Sequence, residues 1–174
     1  QLLPYLGDMA YSFADDTLEN AIGALFRGTG MTLSAAESCT GGKISSLITS
    51  VPGASEYYLG SVTSYAIAVK ERVLGVPPEV ISEHGVVSEE VAMAMAKGVR
   101  ELTGSTYSVA TTGLAGPGGD DRNPVGTVCI GVAGPKGCTA LKVRYSNDRK
   151  RNIERFTVTA LDTLRKYVIN DLKS

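Results

Sequence analysis

The stretch Ala35-Ala36-Glu37-Ser38-Cys39-Thr40-Gly41-Gly42 sets a serine, a threonine and two glycines between a strand-like run at 31–37 and a helix-like run at 42–49. Glycine lets the backbone come close to a ligand, and the free N–H groups of a helix start point at an anion or a developing oxyanion. Ser38 stands where the strained elbows of hydrolases expose a nucleophile. The same residues suit a plainer task, because Ser38 or Thr40 can simply cap the helix.

A serine nucleophile needs a base. His84 is the only histidine, which argues against a Ser-His-Asp triad and against histidine-based zinc sites. Lysine or tyrosine is left, and Lys70 and Tyr65 are the candidates, one in a short helix and the other at the end of the strand before it. Burial would lower a lysine from about 10.4 towards neutrality, since desolvation disfavours the charged form. A tyrosine beside it could pass a proton without carrying charge. Equally, Lys70 could be a solvated helix residue near Glu71, and Tyr65 an ordinary strand aromatic. Two other motifs are excluded by spacing. Glu37 and Ile44 stand where a Walker loop needs Gly and Ser or Thr, and Lys43 lies five residues beyond Ser38, facing away from it on a helix.

The rest of the chain must position these groups. At 174 residues, 43% apolar and 20% charged, it suits one domain with a substantial core. A net charge of −1 argues against nucleic acid and anionic membranes as partners. The basic cluster Arg144, Arg149, Lys150, Arg151 and Arg155 is local, enough for a phosphate. No apolar run approaches the roughly 20 residues of a membrane span. Three cysteines (Cys39, Cys129 and Cys138), without metal-ligand spacing, point to a reducing, cytoplasmic setting and to no bound metal. The start at Gln1 leads to the expectation of a cut from a longer protein.

Residues 1–14 read as an arm or linker remnant and 15–174 as the domain. A capping box at Asp16-Thr17-Leu18-Glu19 opens a helix to about Arg27. Strand-like runs at 57–65, 108–112, 125–133 and 139–145 alternate with helices at 68–74 and 88–102, and Asn147 or Asp148 caps a last helix. Helices between strands, plus one hairpin, predict a three-layer α/β/α fold around a mixed, mostly parallel sheet of about five strands. Ligands in such folds bind beyond the carboxyl ends of strands. The Ser38 turn and the glycine loop at 113–119 both follow strands, so they share one cleft if those strands are parallel neighbours.

Several separated motifs, in order, resemble the C-terminal domain of competence/damage-inducible protein CinA. They are Ala36–Gly42, Val51-Pro52-Gly53-Ala54-Ser55, Tyr65…Lys70…Leu74-Gly75-Val76, Gly85-Val86-Val87-Ser88, Thr112–Gly119, Pro124-Val125-Gly126-Thr127-Val128 and Asp148-Arg149. The resemblance covers about residues 17–168. It implies a nicotinamide mononucleotide amidohydrolase needing no cofactor, a homo-oligomer, and in many members a molybdopterin-binding-like domain on the N-terminal side. It casts Ser38 as nucleophile, Lys70 as base and Tyr65 as proton relay. Cys39, Thr40, Gly41 and Gly42 would hold the oxyanion, Thr112, Gly113, Ala115 and Gly116 would cradle the nucleotide, and Arg149 would meet its phosphate. One departure stands out: Ile67 occupies a position where the family commonly has Asn. That change gives a second reading, a nucleotide-binding or interaction module with weak or no catalysis.

Overall fold

The computed structural model describes residues 17–173. In chain order the elements are α1 (Leu18–Phe26), β1 (Leu33–Glu37), α2 (Lys43–Thr49), β2 (Tyr58–Thr63), α3 (Ile67–Arg72), α4 (Pro78–His84), α5 (Glu89–Thr103), β3 (Tyr107–Gly113), β4 (Thr127–Gly134), β5 (Gly137–Arg144) and α6 (Arg149–Lys173). The expected arm at 1–14 and the Asp16 cap lie outside the described residues. Thr17 caps α1, its side chain accepting from the Asn20 N–H, and Ser88 and Asp148 do the same at the starts of α5 and α6.

The sheet order is β2-β1-β3-β4-β5. β1 pairs parallel with β2 and with β3, while β3–β4 and β4–β5 are antiparallel, so only β4 runs against the rest. Central strands β1 and β4 are buried along their whole length, and β3 nearly so, whereas edge strands β2 and β5 largely alternate. Alternation of side chains across the sheet makes two cores. Leu33 and Ala35 of β1, with Tyr107 and Val109 of β3, pack against α1, α2 and α6. Ala36 and Ala110 face the other way, onto α5. That gives the α/β/α layering.

The layer carrying α5 is drawn unusually close by small residues. A Cβ on Gly131 would lie 2.2 Å from the Ala92 carbonyl oxygen, and one on Gly98 only 1.9 Å from that of Leu74. The second contact matters for function, because Leu74 ends the short stretch that begins with α3 and carries Lys70. In an ordinary exposed helix Gly→Ala stabilises by about 1 kcal/mol. At Gly98 the sign reverses. Gly98→Ala should destabilise by about 1–3 kcal/mol through overpacking, lowering the denaturant midpoint at unchanged slope. A rise in the midpoint would show that the two segments separate freely.

Candidate active site

β1 is flanked by β2 on one side and β3 on the other, so the chain leaves its carboxyl end at a topological switch point. Ser38 is the first residue past that end. Its N–H still donates to the Thr111 carbonyl, at 3.0 Å, which extends the β1–β3 ladder by one rung. The chain then turns into α2 through Gly41 and Gly42, at φ of 61° and 98°, values that side chains resist. Their glycine character is required by this turn.

What the turn wraps around is Glu37, which is fully buried. Its Oε1 accepts from the Ser45 N–H and hydroxyl, and its Oε2 from the N–H groups of Gly42 and Ile44 and the Thr40 hydroxyl, all within 3.0 Å. The start of α2 is therefore filled by the chain's own carboxylate. Gly41 N–H is also engaged, with the Ser38 carbonyl. Within 39–42, only the Cys39 and Thr40 N–H groups make no hydrogen bond to another described residue.

Lys70 projects from α3 to the same place. Its Nζ donates to Ser38 Oγ at 3.0 Å and to the Ser64 carbonyl. The side chain is only 1% exposed, and no described carboxylate lies within ion-pairing distance of it. Burial lowers its pKa from 10.5 to about 8, opposed weakly by Cys39. Burial pushes the Cys39 thiol the other way, to about 12, which keeps it from competing as a thiolate. A serine hydroxyl beside a buried lysine with no acid is an arrangement whose chemistry suits a nucleophile and its base near neutral pH.

The pair opens into a cleft of about 190 Å³ whose lining includes Cys39, Ile67, Thr112, Gly113, Ala115 and Arg149. Gly113 allows the turn to dock, since a Cβ there would sit 2.7 Å from the Thr127 carbonyl and 3.1 Å from Cys39 Sγ. Thr112 spends its hydroxyl on the Val86 carbonyl, holding the opposite wall. Ala115 and Gly116 accept through their carbonyls from Asn152 and Arg149. Tyr65 stands at the mouth, 65% exposed. Its hydroxyl meets Arg149 Nη2 at 3.2 Å and makes no hydrogen bond to Lys70 or Ser38. The Thr40 hydroxyl, Gly41 and Gly42 lie behind the cleft, with Glu37.

A larger groove of about 450 Å³ between α4 and α5, lined by residues including Val80, His84, Glu90 and Met93, holds no nucleophile–base pair; chemistry selects the smaller cleft. Among the described residues no three of His, Cys, Asp and Glu gather where a metal could be held, and no helix is long and apolar enough to cross a membrane. Sequence reasoning missed Glu37 as the organiser of the turn. Its signal was an acid four residues before the first glycine of a helix start. It also missed Ser64, which precedes Tyr65 and accepts from Lys70.

The sequence model described as the CinA C-terminal domain matches residues 15–168. A CinA-like protein of Desulforapulum autotrophicum is 47% identical over 166 residues, covering 94% of this chain and 39% of the relative. One of Geobacter sulfurreducens is 45% identical over 165 residues, covering 94% and 40%. The chain thus spans about two fifths of the length of these relatives. The crystal structure of a competence or damage-inducible protein from Enterobacter asburiae superposes with a TM-score of 0.84 at 29% identity, covering 87% of this chain and 96% of that one. A competence/damage inducible protein from Agrobacterium tumefaciens gives 0.79 at 31%, covering 88% and 92%. With the fold, the Ser38 turn and these matches in agreement, the chain belongs to the CinA C-terminal domain family.

Proposed function

We propose that this domain hydrolyses the carboxamide of nicotinamide mononucleotide, releasing ammonia and nicotinate mononucleotide. The observation that carries the reading is Lys70 Nζ, buried and without an acid, 3.0 Å from Ser38 Oγ. Neutral Lys70 takes the Ser38 proton as the oxygen attacks the carboxamide carbon. The resulting ammonium returns that proton to the carboxamide nitrogen as the C–N bond breaks, so that it leaves as ammonia. Water, activated by Lys70 in turn, then cleaves the acyl-enzyme. The uncommitted N–H groups of Cys39 and Thr40 are the ones left to hold the oxyanion, each such donor being worth about 3 kcal/mol of barrier.

At 190 Å³ the cleft is smaller than the roughly 300–1,000 Å³ of drug-sized pockets, which suits a single ring with its amide. The ribose phosphate would extend past Tyr65 to Arg149, whose planar fork suits a phosphate. In this arrangement Tyr65 works with Arg149 at the mouth, and Lys70, which touches Ser38, carries the proton that the family resemblance gave to Tyr65. The domain works in the reducing cytoplasm as part of a homo-oligomer, with a further domain on its N-terminal side. One observation favours the second reading, binding without turnover: the 47% exposed Ile67 puts an apolar side chain on the cleft wall where an amide could hold the substrate.

Ser38→Ala should cut ammonia release from the mononucleotide at least about 10³-fold without changing the unfolding transition, as with nucleophile loss in serine hydrolases. Undiminished release in the folded variant would remove Ser38 as nucleophile. The base must be neutral, so kcat/KM should rise with pH through about 8 and level off above. Cys39 stays protonated across that window and adds no second limb. A profile flat from pH 6 to 9 would exclude Lys70 as the base. Ile67→Asn should raise the rate several-fold if the wall limits catalysis. Nucleotide binding with no turnover in either form would instead establish the binding module.

A further inference from the structure

One position beyond the last β1–β2 pair, Glu37 with Thr63, come Ser38 and Ser64. The Ser64 N–H donates to the Glu37 carbonyl at 2.8 Å, so the two strands are still in register there. Ser38 and Ser64 are thus cross-strand neighbours, and Lys70 Nζ spans them, donating to the Ser38 hydroxyl and to the Ser64 carbonyl. Two unfinished groups meet at this point. A lysine ammonium has three donors, of which two are placed. The Ser64 side chain is fully buried, and its Oγ has no hydrogen-bond partner among the described residues. Buried hydroxyls are rarely left unpaired without a functional or structural reason.

We propose that the Ser64 hydroxyl is the third hydrogen-bond acceptor of the Lys70 ammonium, and so a positioning residue for proton transfer at Ser38. This deepens the serine-amidase reading and rests on it for its catalytic meaning. Before attack, neutral Lys70 directs its lone pair at the Ser38 O–H and one N–H at the Ser64 carbonyl. The O–H bond then breaks, its proton binds Nζ, and the Oγ electron pair goes to the substrate carbon. The nascent ammonium now presents its full set of donors in a site with no carboxylate. The Ser64 hydroxyl, turning about its χ1, completes the shell. It leaves Ser38 free to rotate away with its acyl group while Lys70 keeps its aim. Hydrogen bonding to the charged form favours that form. Ser64 therefore partly offsets the desolvation of Lys70.

The groups that could otherwise govern Lys70 are few. Cys39 faces it from the turn after β1, Tyr65 and Arg149 line the same cleft, and Glu71 and Arg72 lie on its own helix. The test reads Lys70 directly. In ¹³C-labelled protein without substrate, the Lys70 Cε resonance, assigned by its loss in Lys70→Met, is titrated in wild type, Ser64→Ala and Ser64→Cys. Both variants should lower the Lys70 midpoint by about half a unit or more, roughly a threefold change in its proton dissociation constant. The cysteine variant nearly keeps the volume and supplies only a weak acceptor, so it carries the test if the alanine variant does not fold. An unmoved or raised midpoint in a folded variant overturns the proposal. No substrate enters the measurement, so a failure of the amidase reading would show separately, as absent ammonia release with the midpoint still displaced.

Discussion

The structure depends on keeping one lysine dry. Lys70 is held at a pKa of about 8 against an ordinary 10.5, and the cause is desolvation. By linkage such a displacement costs the fold roughly 3 kcal/mol wherever the unfolded lysine is charged and the pH lies below 8. The folded protein binds fewer protons than the unfolded chain between about 8 and 10.5. Over that window the cost is recovered as pH rises. Below it the rest of the domain must carry the penalty, a large share of a typical net stability. The contacts that enforce it are stiff: Leu74 against Gly98 with no room for a Cβ, and the Val76 N–H on the Lys70 carbonyl. Those contacts make no chemistry of their own. They keep Nζ on Ser38.

Glu37 shows the opposite treatment of a buried ionisable group. It lies one residue before Ser38 and is equally inaccessible, yet it has five hydrogen-bond donors, three of them N–H groups at the start of α2. A carboxylate so satisfied is a structural element, and it consumes the helix terminus that would otherwise attract an anionic ligand. Lys70 has two acceptors and no counter-charge. The two groups differ in what the chain offers them, and that difference decides which one is available for chemistry.

This contrast also explains what could be read in the sequence. The layers and the sheet were legible because they rest on local patterns: the small, buried Leu33-Ser34-Ala35-Ala36 run, the Ser88 cap and the Pro135-Lys136 turn. That the Ser38 turn and the glycine loop share one cleft was legible on the condition, met here, that β1 and β3 are parallel neighbours. The place of Lys70 beside Ser38 rested instead on the family resemblance. Three features needed the third dimension. Glu37 reads in sequence only as an acid ahead of a helix start, and it is the turn of Gly41 and Gly42 that brings α2 over it. The Tyr65 hydroxyl could be placed near Lys70 by spacing, but Ala66, extended at φ −84° and ψ 149°, starts α3 with Tyr65 outside and Lys70 inside. Ser64 carries no motif. Its meaning comes from lying one rung across from Ser38.

The position of the cleft follows from the same topology. A switch point separates the loops of neighbouring strands and leaves a crevice between them without any residue being removed from the core. Here β2 goes one way from β1 and β3 the other. The crevice is therefore bounded by Tyr65, Ile67 and Lys70 from the segment after β2 and by Thr112–Ala115 from the end of β3, with Ser38 at its floor. Many of the backbone groups along the β3 wall are already spent: Leu114 N–H on Thr127, the Leu114 carbonyl with Gly126, the Ala115 carbonyl with Asn152. A wall so committed offers shape more than hydrogen bonds. The polar groups that the cleft presents are Ser38, Lys70, the turn N–H groups and the Tyr65–Arg149 pair. Ile67, on the facing wall, is apolar and likewise adds shape without a hydrogen bond.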